Sequence, residues 1–200
     1  MKKNYEMDMC SGPILGKLLT FTIPLIFSGI LQLLFNAADV IVVGRFAGSQ
    51  SLAAVGSTTA LINLMINIFI GLSVGVNVIV ARYYGAKREK DVQDTIHTAM
   101  ALSIVSGLFL IIVGQLLSRP MLELMGTPDD VIDKSTIYMR IIFIGMPANM
   151  IYNFGSAILR AVGDTKRPLY FLTAAGVINV VLNLFFVIMF QMDVAGVALA

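Results

Sequence analysis

Long runs free of charge alternate along this chain with short clusters of basic and acidic residues. Five apolar stretches stand out, at roughly 18–43, 52–81, 95–117, 137–159 and 168–190, and a sixth starts at 194 and runs to 200. A helix rises 1.5 Å per residue and needs about 20 apolar residues to cross a hydrocarbon core about 30 Å thick. The pattern predicts an all-α, polytopic membrane helix bundle with five complete transmembrane helices and the start of a sixth. A cytoplasmic segment, 1–17, precedes a single transmembrane unit, 18–200. No charge falls between Arg45 and Arg82, so the second helix exceeds the core and is expected to tilt or protrude.

Punctuation between the runs supports this layout. Gly85 reads as the stop of the second helix, and 87–94 as a charged link into the third. Thr127-Pro128-Asp129-Asp130 reads as a helix start, with Thr127 as N-cap, Pro128 at the first helical position and acids in the first turn. The fourth helix is therefore expected to begin outside the bilayer. Pro24 and Pro147 lie inside spans, and each frees the carbonyl four residues earlier, at Thr20 and Phe143, weakening the helix there. Gly71 and Gly75 form a small-xxx-small pair expected to pack against another helix.

Composition agrees: 58% of residues are hydrophobic, 13% are charged and mean hydropathy is +0.86. The net charge of +2 implies no nucleic-acid surface, because the basic residues lie where loops meet the membrane. Lys2, Lys3, Lys17, Arg82, Lys87, Arg88, Lys90, Arg160, Lys166 and Arg167 flank one side of the expected spans. Only Arg45, Arg119, Lys134 and Arg140 flank the other. The positive-inside rule then places the N-terminus in the cytoplasm. Cys10, the single cysteine, has no partner for an internal disulfide and no metal-ligand spacing. The run after Lys2 and Lys3 does not read as a cleaved signal peptide.

Asp39 is the one acid within an expected span. On insertion scales a charged Asp at mid-membrane costs roughly 2.5 to 3.5 kcal/mol, so such acids usually face a cavity or an ion path. Two readings are open: a coupling site for a proton or a cation, or an acid near enough to the outer interface to reach water. Gln32, Asn36, Asn63, Asn67, Asn77, Asn149, Asn153, Asn179 and Asn183 are also expected to face protein or water, as helix-to-helix hydrogen bonds or as ligand contacts. Asn36 and Asp39 share one helix face, as do Asn179 and Asn183. An intramembrane aspartyl protease needs two facing acids and a serine hydrolase a Ser and His pair at depth. Asp39 stands alone and His97 lies at the cytoplasmic edge, so no enzyme is expected.

The segment from Ile23-Pro24-Leu25-Ile26 through Asn36-Ala37-Ala38-Asp39 to Val43-Gly44-Arg45, followed by Leu52-Ala53-Ala54-Val55-Gly56, resembles the opening of multidrug and toxic compound extrusion (MATE) transporters. Gly71-Leu72-Ser73-Val74-Gly75 with Ala81-Arg82-Tyr83-Tyr84-Gly85-Ala86 resembles the end of that family's second helix. The string from Asn153 through Leu159-Arg160-Ala161-Val162-Gly163-Asp164-Thr165-Lys166-Arg167-Pro168 resembles its link between helices four and five, and is the most specific of the three.

The resemblance implies a transporter of two six-helix lobes in which this chain supplies most of the N-terminal lobe, the C-terminal lobe lying outside this sequence. It implies export of small organic cations across the cell membrane in exchange for protons or sodium ions, with membrane lipid around it and no cofactor. Asp39, Asn179 and Asn183 match the coupling residues, with sodium expected at Asp39 and Asn179, and Pro24 matches the proposed bend. Gln32, Asn36 and Asn153 are candidates for the substrate cavity. The family often carries Asn-x-x-x-Asp on the fifth helix, whereas Asn179 is followed here by Asn183, which removes one negative charge. A flippase of lipid-linked sugars and a non-transporting lobe that serves as an assembly partner are the alternatives.

Overall fold

A computed structural model describes Gly12 and residues 14–200. Lys2, Lys3 and Cys10, with most of the expected segment 1–17, lie outside the described residues. The described chain is helical throughout: α1 (Ile14–Val42), α2 (Ser49–Gly85), α3 (Glu89–Leu124), α4 (Asp129–Ile144), α5 (Met146–Ala161), α6 (Lys166–Leu184) and α7 (Asp193–Leu199). Four helical stretches are long and apolar enough to span a membrane, and α4 with α5 forms a fifth, bent span. This is a multi-pass membrane protein. At 37 residues α2 is about 55 Å long, well beyond the hydrocarbon core, as its uncharged length predicts.

The fourth span departs from the expected single helix over 137–159. It breaks at Gly145, bends by 48°, and resumes with Pro147 in the first turn of α5. The cause is the missing amide of Pro147, which leaves the Phe143 carbonyl without its regular partner. The Gly145 amide bonds instead to both Ile141 and Ile142 carbonyls, at 3.4 and 3.1 Å. The start of this span also differs, because Pro128 rather than Thr127 occupies the cap position, with ψ of 145°. Its carbonyl accepts from the Val131 and Ile132 amides at 3.1 Å each. By contrast α1 runs through Pro24 without a break. Hydroxyls of Thr20 and Ser28 fold back onto the carbonyls of Gly16 and Pro24, at 2.9 and 2.8 Å.

Two bodies result. Helices α2 to α5 form a bundle around Val80, Leu110, Leu122, Met139, Phe143, Met146, Met150 and Phe154, none more than 2% exposed. Close approach depends on glycine: a Cβ at Gly107 would overlap Pro147, and one at Gly114 would overlap Phe143. Gly71 and Gly75, expected to serve this purpose, face open space instead. Helices α1 and α6 form the second body, packed on each other through Gly176, where a Cβ would run into the Phe35 ring.

The two bodies join where α1 passes into α2. There α1 ends in a π-helical turn, Val43–Ala47, and α6 in another, Phe185–Met189. Both turns pack against α7, which lies on α4. A smaller apolar cluster of Val42, Val43, Ala54, Val55, Val187, Val194 and Val197 seals this junction. At the opposite end lie the α2–α3 and α5–α6 links. The latter is a tight reversal: Gly163 adopts a left-handed φ of 85°, which glycine tolerates without a Cβ clash. The Asp164 carboxylate accepts from the Lys166 and Arg167 amides at 3.1 Å each and so caps α6.

Candidate functional site

The tight fit of Gly176 against Phe35 brings the following turns of α1 and α6 together. One turn beyond Phe35 stands Asp39; Asn179 and Asn183, four apart, share the facing side of α6. Asn183 is fully buried and its Nδ2 donates to Asp39 Oδ1 at 2.5 Å. The same Nδ2 lies 3.3 Å from Asn179 Oδ1. Asn183 Oδ1 is buried and has no hydrogen-bond partner. Such an orphan acceptor costs about 1–3 kcal/mol unless a donor or cation reaches it. Asp39 itself is half-buried, so the site has access from one side.

Tyr138, on α4, is close enough to interact electrostatically with Asp39. Sequence reasoning missed it, because an aromatic at the start of an apolar span reads as core. Tyr138 lies against the valine cluster at the α1–α2 junction, a placement that no local spacing along α4 shows. The remaining expected residues are not gathered here. Gln32 and Asn36 are exposed on α1. The Asn153 amide bonds back to Asn149, at 2.9 Å to its carbonyl and 2.6 Å to its side chain, within α5. Asn77 bridges α2 to the Ala157 carbonyl of α5 at 2.7 Å, a helix-to-helix bond.

The donor set at Asp39 fits a proton more naturally than a hard cation. Asp39 is the one carboxylate present, and Asn183 aims its N–H, not its oxygen, at that carboxylate. Hard cations favour several oxygens with more than one negative charge. Among the described residues no group of three or more His, Cys, Asp or Glu is arranged to hold a metal.

A second polar cluster ties α7 to the bundle. Lys134 Nζ lies 2.7 Å from Asp193 Oδ2 and 3.3 Å from Ser51 Oγ, and the Ser51 hydroxyl donates to Asp193 Oδ1. Burial pushes the Asp193 carboxyl up, but the hydrogen bonds from Lys134 and Ser51 outweigh it and hold it below the usual carboxylate range.

Residues 24–185, which include the first span with Asp39 and the fifth with Asn179 and Asn183, match the MatE family model. The chain belongs to the MatE family. It is 35% identical over 162 residues to the probable multidrug resistance protein YoeA of Bacillus subtilis (strain 168), covering 81% of this chain and 35% of that protein. It is 30% identical over 191 residues to the probable multidrug resistance protein YpnP of the same organism, covering 96% and 43%. A crystal structure of MATE in the bent conformation superposes with a TM-score of 0.85 at 27% identity, covering 91% of this chain and 40% of that one. The chain thus spans less than half the length of these MATE relatives.

Proposed function

We propose that this chain forms the N-terminal lobe of a MATE antiporter that exports small organic cations across the cell membrane, coupled to entry of protons through Asp39. The observation that carries the reading is the half-buried Asp39 carboxylate held by the fully buried Asn183 amide across two helices. The N-terminus is then cytoplasmic, and the α1–α2 junction faces outward.

The chemistry follows from hydrogen-bond bookkeeping. With Asp39 ionised, Asn183 donates to it, and α1 and α6 are drawn together. A proton on Asp39 converts an acceptor into a donor that needs an acceptor of its own. Rotation of the Asn183 amide offers its orphan Oδ1 in that role, while Nδ2 turns toward Asn179. The two protonation states thereby favour different contacts between α1 and α6, which is what alternating access requires of a coupling residue. Pro24, about four helical turns before Asp39, gives α1 a place to bend. Gln32 and Asn36 supply exposed amides, and Asn153 a half-buried one, for a substrate cavity completed by a second lobe. Sodium coupling through Asp39 and Asn179 is the second reading, and the orphan oxygen of Asn183 is the observation in its favour. Neither reading calls for an enzyme or a cofactor.

The test is ethidium efflux from cells expressing the full-length transporter. Asp39→Asn keeps the size of the side chain and removes the charge, so efflux should fall to background at normal expression. Efflux unchanged in a well-expressed Asp39→Asn protein would refute the reading.

A further inference from the structure

The α1–α6 pair is attached to the α2–α5 bundle unevenly. Along its length α1 packs on α6, and its other substantial contact is with its own π-helical turn. The bundle meets the pair mainly through α7 and the two π-helical turns. At that junction Gln191 and Asp193 adopt left-handed φ of 52° and 55°, which residues with a Cβ avoid unless surrounding contacts hold them. Asp193 is held on two sides, by Lys134 of α4 and by Ser51 at the start of α2. A cleft of about 440 Å³, lined by Phe46, Ala47, Val187, Ile188, Gln191 and Asp193, opens between the two π-helical turns.

We propose that the Lys134–Asp193–Ser51 cluster is a fixed pivot, clamping α7 to α2 and α4 while α1 and α6 move as a pair against the bundle and bend at their π-helical turns. Four features meet there. The charged pair ties α7 to the bundle at the place where both π-helical turns pack on α7. The valine cluster packs the junction beside it. The backbone on either side of Met192 is constrained. Each moving helix has an irregular, more deformable turn at the point of attachment, with open space beside it. The second attachment of the pair is the Gly163 turn, where the Tyr152 hydroxyl reaches the Pro168 carbonyl at 3.3 Å. Movement is therefore a rotation of the pair about a line joining the two attachments, and it changes the distance between the start of α1 and the bundle.

The inference rests on the transport reading, but its test separates the two. In the full-length transporter with its other cysteines replaced, spin labels on exposed Leu18 (α1) and Lys90 (α3) report the movement with ethidium present and absent. Lys134→Cys with Asp193→Cys, joined by a short bifunctional thiol reagent, holds the pivot. The 18–90 distance should shift on adding ethidium, and cross-linking should leave both that shift and ethidium efflux intact. Asp193→Asn should broaden the 18–90 distances and lower efflux by about fivefold. Exchanging the charges, Lys134→Asp with Asp193→Lys, should restore both if the single variant folds poorly. Cross-linking that freezes the 18–90 distance, or an 18–90 distance that never shifts, would overturn the pivot. Efflux indifferent to Asp39 alongside an intact 18–90 shift would sink proton coupling and leave the pivot standing.

Discussion

Gly107 on α3 lies against Pro147 on α5 with no room between them, so that any Cβ at 107 would overlap the Pro147 backbone. Because Pro147 also causes the break in the fourth span, this contact fixes where α5 restarts and how α4 is aimed at the α1–α2 junction. Gly107→Ala should destabilise the protein by about 1–3 kcal/mol through overpacking. Gly71→Ala, which meets no atom within 4 Å, should be neutral or slightly stabilising through helix propensity. Thermal unfolding of both variants in detergent checks the contrast. Equal loss at the two positions would show that glycine serves a purpose other than close approach.

The reversal between α5 and α6 provides a second test. Asp164 is fully buried and caps the first turn of α6 through two backbone amides. Asp164→Ala should cost about 1 kcal/mol or more, since it removes a cap and leaves those amides unsatisfied. Thr165→Ala should cost less, because Thr165 makes no side-chain cap to α6. Unfolding midpoints that rank the two the other way would contradict this assignment.

Most of the bundle was legible in the sequence because uncharged length is a direct readout of the bilayer. The five spans, the stop at Gly85 and the stacking of Asn179 with Asn183 all follow from spacing along one helix. What escaped depends on the partner helix. Gly71 and Gly75 have the same spacing as any packing pair, yet the helix that fills the space beside a glycine is set by the fold. Gly107, Gly114 and Gly176 carry no such local signal and make the actual contacts. Pro147 marked the weak point but not the 48° bend, and nothing local placed Tyr138 near Asp39. The Lys134–Asp193 pair joins residues 59 apart in sequence, beyond any local rule.

Acid should weaken the α7 junction. The Asp193 carboxyl is held below its ordinary range, so its charged form adds stability at neutral pH, and that contribution disappears as pH falls through the lowered value. The stability gap between the native protein and Asp193→Asn should therefore be widest near neutrality and close below roughly pH 4. Unfolding midpoints of both proteins across that range measure the gap. A gap that widens in acid would reverse the sign of the argument.

On the proposed reading, Asn183 sets which ion the site prefers. With one carboxylate at the site, transport in sealed vesicles should follow a proton gradient and ignore sodium. Asn183→Asp adds a second carboxylate opposite Asp39 and removes the donated N–H, so it should introduce sodium stimulation. Strictly sodium-dependent transport by the native protein, insensitive to a proton gradient, would exclude this assignment.

The central claim is that Asp39 carries the exchanged proton, and proton release on substrate binding measures it most directly. Purified full-length transporter in weakly buffered detergent should release about one proton per molecule from this lobe when ethidium binds, as expected for a linked titration. Asp39→Asn should bind ethidium and release none. Equal release from the native protein and Asp39→Asn would contradict the account.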